Sequence, residues 1–301
     1  MTASETSPAD AYPDVNWRRF SRVFLVFAAV ISLIVLALVT LHTTSGQALD
    51  QLVLETVRIA ANRVTPLIDL LKRSVSYLSV AVACAVVMAI AMARKRYALA
   101  IRVGVLIIGS NITTQLLKTW ILQRPYLGIG PDLANSFPSG HSTVVLSVAF
   151  GLTIVASQSV RSVVEVGVAV VSSLALIAIL VSGWHRPSDV IGAILICFIW
   201  AMTLAPQEEP QRDRDNLNTG LLVGSLIAFV ALAGAVFALW TDLSELIMKI
   251  ATTPAVRDVI AGHFALSIVF SMIAIGMVLA FMVFSLSLVN YLQTGRSRSF
   301  G

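Results

Sequence analysis

Long apolar runs alternate with short polar connections along the whole chain, and the runs come in two kinds. Uninterrupted runs of roughly 20 residues match the length a helix needs to cross a bilayer. They predict spans near 21–41, 75–93, 98–117, 138–157, 162–182, 188–204, 219–240 and 264–290. Two further stretches, 47–73 and 242–261, mix charged residues with leucine, valine and alanine, which suits amphipathic helices lying in the membrane interface. The segment "PQEEPQRDRDN" at 206–216 is rich in proline and charge and reads as a linker. The pattern therefore predicts an all-α, polytopic membrane bundle of about eight spans. A tail at 1–20 precedes a six-span core at 21–204, followed by a linker at 205–217, a two-span extension at 218–292 and a second tail at 293–301. There is no internal repeat.

Positive residues orient this arrangement. Arg18, Arg19 and Arg22, the "RKR" at 94–96, Arg161, Arg212, Arg214, Arg296 and Arg298 all fall on one side if the spans alternate. By the positive-inside rule that side is the cytoplasm, with both termini on it. Trp17 and Trp200 are then expected at the inner interface and Trp120, Trp184 and Trp240 at the outer one, where amphipathic rings prefer to sit. The first run has no small-residue cleavage site after it and reads as a retained anchor in a plasma (inner) membrane.

Composition removes the soluble alternatives. The 301 residues are 57% hydrophobic and only 12% charged, with a mean hydropathy of +0.87, outside the range of ordinary soluble domains. A net charge of +5 does not argue for nucleic acid, because the basic residues sit in short clusters between apolar runs. Cys84 and Cys197 lie within such runs and read as small buried hydrophobes, with no disulfide or metal site between them.

Uncommon chemistry gathers on the outer side in three separated pieces: "KTWILQRP" at 118–125, "PSGH" at 138–141 and "GWHRPSD" at 183–189. Lys118 ends the third span, and helical spacing puts Thr114 and Asn111 on its face. That stripe either leads into a site or packs against a neighbouring helix beneath a snorkelling lysine. Pro138 and Ser139 open the fourth span, whose first-turn N–H groups and dipole form a ready anion site, or else Ser139 is simply its N-cap. Gly140 allows close approach to the backbone, and His141 adds a group titrating near neutrality. Asp189 lies four residues after His185, one helical turn along. It either holds that imidazole's far nitrogen, freeing the near one as base or nucleophile, or caps its own helix. Two histidines and Asp189 beside the cations Lys118, Arg124 and Arg186 outline a phosphoryl-transfer site. With no run of carboxylates to cage Mg²⁺ and a poor donor set for zinc, neither metal nor cofactor is expected.

These pieces, in this order, resemble the three signatures of the type-2 phosphatidic acid phosphatase and vanadium haloperoxidase superfamily, over about 75–204. The resemblance implies that Lys118, Arg124, Ser139 and the Gly140 N–H hold phosphate oxygens. It makes His141 the general acid, His185 the nucleophile and Asp189 its orienter. Two departures stand out. Five residues separate Lys118 from Arg124 where the family has six, and the family's third-signature arginine, six residues before the nucleophile, is Ile179 here. Arg186 is the nearby cation able to replace it, unless it faces outward as an interfacial anchor. The implied activity is hydrolysis of a phospholipid or polyprenyl phosphate through a phosphohistidine, with membrane lipids as the other partners. A catalytically impaired lipid-phosphate binder and a lipid or glycan phosphotransferase are the alternatives.

Overall fold

The computed structural model of the chain describes residues 13–61, 85, 89, 92, 95–208 and 216–294. Among these there are ten helices and no strand. In chain order they are α1 (Pro13–His42), α2 (Thr44–Ala61), α3 (Tyr97–Leu116), α4 (Gly140–Val155), α5 (Arg161–Val181), α6 (Pro187–Leu204), α7 (Asn216–Ala238), α8 (Trp240–Ala251), α9 (Val256–Gly262) and α10 (Phe264–Thr294). α3 runs on into a π-helical turn at Leu117–Ile121. Six helices (α1, α3 with its turn, α5, α6, α7 and α10) are long and apolar enough to cross a membrane, and the 16-residue α4 is a shorter apolar helix. The chain is a polytopic helical membrane protein. The expected span at 75–93 with Cys84, the second half of the 47–73 stretch, Arg212, Arg214 and the terminal Arg296 and Arg298 lie outside the described residues.

α6 is the axis of the bundle, with α1, α3, α4 and α10 packed directly on it. Its Val190, Ala193, Ile194, Cys197 and Ala201 meet Leu106, Leu146, Phe150, Leu176 and Ile179 in one apolar cluster. A helix that is apolar all round is one surrounded on all sides, and α6 fits that description. α10 sends Val278, Met282, Leu286 and Val289 into the same cluster. The stretch after the linker is thus built into the core through α10, while α7 leans on α10 from outside.

Apolar contact alone does not drive helices together in lipid, so small residues and hydrogen bonds decide the packing. A Cβ at Gly109 would lie 2.7 Å from the Trp200 ring, and the Trp200 indole N–H donates to Thr113 Oγ1 at 3.2 Å. Trp200 therefore packs between α6 and α3, a role its position in the sequence did not suggest. Trp17, Trp120, Trp184 and Trp240 are exposed. The polar stripe on α3 is likewise a packing device: Thr114 Oγ1 lies 2.9 Å from Thr143 Oγ1 and Asn111 Nδ2 donates to Ser147 Oγ at 3.3 Å, both on α4.

α2 departs from the expected surface helix. Every residue from Gly46 to Val57 except the half-buried Leu49 is buried, beneath α8, α9 and α10 on one side and against α1 on another. Ala48, Leu52 and Val53 join Leu243, Leu246, Ile250, Val256 and Ile260 in a second apolar cluster. The charges in 47–58 looked like a solvated face because their partners are far away in sequence. Glu55 accepts from Arg58 of its own helix and from Arg257 of α9.

Of the basic residues used to orient the chain, the described Arg18, Arg22, Lys95, Arg96 and Arg161 gather at one end of the bundle, around Ala205–Glu208. Arg22 donates to Ala205 O, Pro206 O and Leu292 O, and Arg18 to Glu208 O and Gln293 O. Ala205 O, Leu292 O and Gln293 O belong to the C-terminal ends of α6 and α10, which carry the negative end of the helix dipole, while Pro206 O and Glu208 O belong to the segment that follows α6. Arg161 forms two bonds to the Glu208 carboxylate and one to Ala156 O. Burial would raise the Glu208 carboxyl, but bonds from Arg161, Gln158 and Gln293 and the Arg161 charge hold it below the usual range. The first residues of the predicted linker, up to Glu208, are thereby anchored.

Candidate active site

At the opposite end, the N-termini of α4 and α6 meet the C-terminal turn of α3. Gly192 makes this possible on α6. A Cβ there would come within 2.8 Å of the Phe137 ring, which is fully buried and seats the loop before α4. Asn135 ties the same loop to the end of α3, its Nδ2 donating to Leu122 O and Phe137 O at 2.9 and 3.1 Å. The first turns of α4 and α6 are joined directly by Ser139 N to Asp189 O at 2.9 Å.

Both histidines lie in this junction. His141 Nδ1 is 3.3 Å from His185 Nε2, and His185 Nδ1 is 3.4 Å from Asp189 Oδ2. Asp189 Oδ2 also accepts from the Arg186 backbone N–H at 2.9 Å and from Ser136 Oγ at 2.7 Å. The two sequence readings of Asp189 are therefore both realised on one oxygen: it orients His185 and it caps α6. With the His185 Nδ1 proton directed at a carboxylate, the Nε2 lone pair is left facing His141, which gives that nitrogen nucleophilic character. Trp184 lies beside them, its ring centroid 5.4 Å from that of His141.

Ser139 is the N-cap of α4. Its Oγ accepts from Ser142 N at 3.2 Å and lies 2.9 Å from Ser142 Oγ as donor. The capping reading is realised, and the hydroxyl hydrogen is engaged inside the helix. Gly140, half-buried, is the first helical residue.

The cations differ in how they are held. Arg186 is only 3% exposed, which rules out the outward-facing alternative. Its Nη1 donates to Ser136 Oγ at 2.7 Å and its buried Nε has no partner. Ile179, where the family arginine is missing, is 1% exposed in the apolar core. Among the described residues, the side chains of Lys118 and Arg124 make no hydrogen bond. Lys118 stands in the π turn and Arg124 follows on the loop after Leu122, whose backbone is extended (φ −99°, ψ 130°). Since the helix has ended, the shorter Lys118–Arg124 spacing carries no 100° rotation of one side chain relative to the other. Burial and the Arg186 charge push the Arg124 guanidinium down to about 10, with Asp50 and Asp189 acting in the other direction.

Three participants were not among the sequence candidates. Ser136 bridges Arg186 and Asp189. Asp50, from α2, accepts from Ser188 N and Oγ in the first turn of α6. Gln47, also from α2, donates through Nε2 to Pro125 O at 2.9 Å. The sequence argument counted Asp189 as the lone carboxylate of the cluster; the fold adds Asp50. A charge inside an otherwise leucine- and valine-rich helical stretch was the available signal, because such a charge is buried only with a partner.

Residues 99–213 match the family model described as PAP2 superfamily. Over this stretch, somewhat more than a third of its length, the chain is similar to the PAP2 superfamily. The match contains Lys118, Arg124, the Ser139–His141 turn, His185 and Asp189, while Asp50 and α7–α10 fall outside it. Members of the PAP2 superfamily are generally phosphatases, and the match supports a hydrolase at that coarse level. No curated protein and no solved structure matches the chain.

Proposed function

We propose that this protein is an integral-membrane lipid phosphate phosphatase that works through a phosphohistidine. The observation that carries the proposal is the His141–His185–Asp189 chain of contacts set among three cations, two of which have no acceptor among the described residues. Charged donors held near buried groups without an acceptor suit an anion that arrives from outside. In this reading His185 Nε2 attacks phosphorus while Asp189 steadies the imidazole. Lys118, Arg124, Arg186 and the Gly140 N–H stabilise the equatorial oxygens, a positioning and electrostatic task with little covalent work for the protein. Ser139 contributes by fixing the first turn of α4.

His141 protonates the departing oxygen and then takes a proton from the water that frees His185, help typically worth about 10²–10⁴-fold. In-line transfer needs roughly 7 Å between the attacking and protonating nitrogens, the sum of a near-attack distance, a P–O bond and a hydrogen bond. Their 3.3 Å contact means that His141 swings away from His185 as phosphate enters. The Arg186 guanidinium takes over the function of the arginine missing at Ile179, from a position 50 residues away from the Ser136 that steers it.

The substrate is an anion on an apolar tail, a phospholipid or polyprenyl phosphate, reaching a site on the extracytoplasmic side of the plasma membrane with both termini in the cytoplasm. Phosphate release from detergent-solubilised protein over phosphatidic acid, phosphatidylglycerophosphate and polyprenyl diphosphates tests the activity. Hydrolysis that persists in chelator, is inhibited by vanadate and leaves an acid-labile phosphoenzyme lost in His185→Ala is expected. Activity lost to chelator and regained with Mg²⁺ would exclude the mechanism, no release would favour a binder, and release dependent on an added alcohol would favour a transferase. Sidedness is tested by single cysteines in intact cells: Ala134→Cys should react with an impermeant thiol reagent and Lys95→Cys and Ser297→Cys should not.

A further inference from the structure

α2 lies outside the PAP2 match yet touches every loop that forms the site. Gln47 Nε2 donates to Pro125 O, next to Arg124. Arg58 donates through Nε and Nη2 to Gly183 O, two residues before His185. Gly183 has a φ of +64° and no room for a Cβ, which would lie 2.5 Å from the Arg58 side chain. Between these two contacts, Asp50 receives both the N–H and the hydroxyl of Ser188.

We propose that Asp50 is a positioning residue of the phosphate site: it fixes the first turn of α6, which carries His185 and Asp189, and supplies the negative charge that opposes Arg124 and Arg186. The inference rests on the phosphatase reading of that cluster. A structural tie to Ser188 alone needs only a neutral acceptor, whereas an acidic group 1% exposed is costly without cations nearby. The charges acting on it are Asp189 and Arg186 at the start of α6 and Arg124 on the preceding loop. Glu55, one turn further along α2, is occupied by Gln51, Arg58 and Arg257. Burial and Asp189 push the Asp50 carboxyl up to about 6, against the opposing effects of Ser188, Arg186 and Arg124. Phosphate arriving beside Arg124 and Arg186 adds like charge facing Asp50 and raises its proton affinity further. By linkage, protonation of Asp50 tightens phosphate binding by the same factor.

The test uses full-length protein in detergent, with inorganic phosphate as the calorimetric ligand and ester hydrolysis as the kinetic readout. In Asp50→Asn, phosphate should bind about tenfold tighter at pH 8, the scale of removing one charge from a partly buried cluster. The ratio to wild type should shrink toward one at pH 5, where wild-type Asp50 is already neutral. Turnover per folded molecule should fall at least about tenfold in the same variant, because one of the two Ser188 bonds is lost and His185 with it loses its placement. Ser188→Ala, which removes a bond that keeps Asp50 ionised, should show both changes in smaller degree at pH 7 and serves if Asp50→Asn does not fold. Unchanged or weaker phosphate binding in folded Asp50→Asn at pH 8, or in Ser188→Ala at pH 7 where Asp50→Asn does not fold, overturns the proposal, as does unchanged turnover. Wild-type protein that binds phosphate but hydrolyses no ester would refute the phosphatase reading while the binding ratio still decides the role of Asp50. Wild-type protein that binds no phosphate refutes both.

Discussion

The two ends of the bundle use arginine in opposite ways. At the basic end, Arg18, Arg22 and Arg161 direct their terminal nitrogens at helix-end carbonyls and at Glu208. Those guanidiniums are internal fasteners, and their charge is answered inside the protein. At the site end, Arg186 has a single side-chain bond, and Lys118 and Arg124 have none among the described residues. The same residue types thus serve as structural caps in one place and as held but available donors in the other. What separates the two uses is the presence of acceptors within reach, a property of the fold that charge counts do not reveal. An ion pair such as Arg161–Glu208 has its ligand built in; the site end has its ligand still to come.

The largest effect expected from breaking this contrast is at the nucleophile. His185→Ala should reduce phosphate release by about 10⁴-fold or more, the scale of losing a group on which a covalent route depends, without lowering the yield of folded protein. Next comes a matched pair of arginine truncations. Arg186→Ala should lose about 2–4 kcal/mol of transition-state stabilisation, with Ile179→Arg restoring part of it if the core admits the side chain. Arg22→Ala should instead reduce folded yield and thermal midpoint in detergent while turnover per folded molecule stays within about twofold, since only carbonyls lose their donor. Equal kinetic losses in both would erase the distinction between the two ends.

A smaller effect separates the carboxylates by pH. Glu208 is held below its ordinary value, so it adds stability above that value, and the contribution disappears as pH falls through the lowered one. Asp50 is raised to about 6, so its ionisation costs stability above that pH, and the cost is relieved as pH falls from about 7 toward 4. Melting curves of Glu208→Gln against wild type should therefore converge at low pH, and so should those of Asp50→Asn, which separate instead above about pH 7 in favour of the variant. The smallest effect is expected from Thr114→Val, which removes an α3–α4 packing bond and should alter turnover by less than about twofold, as hydrogen bonds between membrane helices contribute on the order of 0.6 kcal/mol. A large kinetic loss would return the α3 stripe to the site.

Much of the architecture was legible because a bilayer enforces simple rules of length and hydropathy, and seven expected spans coincide with described helices. The motif residues were legible because each piece is contiguous: helical spacing alone brings His185 to Asp189 and places Ser139 at an N-cap. What failed depended on partners distant in sequence. Arg186 could not be assigned a direction without Ser136, 50 residues earlier. Asp50 and Glu55 looked solvated because Ser188 and Arg257 lie 138 and 202 residues away. Trp200 looked interfacial because nothing near it in sequence signals that Gly109 leaves space for its ring. The α3 stripe was ambiguous for a related reason, since a threonine facing a cavity and a threonine facing another threonine have the same spacing.

The shortness of α4 sets the depth of the chemistry. Its last turn is pinned to the basic end, where Arg161 holds Ala156 O, and 16 residues rise only about 24 Å from there. The hydrocarbon layer is about 30 Å thick, so the turn bearing Ser139 and His141 stops several ångströms short of the far boundary. Under the proposed function, a phosphate held at that turn would sit in a dimple beneath the headgroup plane. A tailed substrate would then slide in sideways from the leaflet with its chains still in lipid, whereas a soluble ester would have to descend into the dimple alone, without chains to offset the loss of water around its charge.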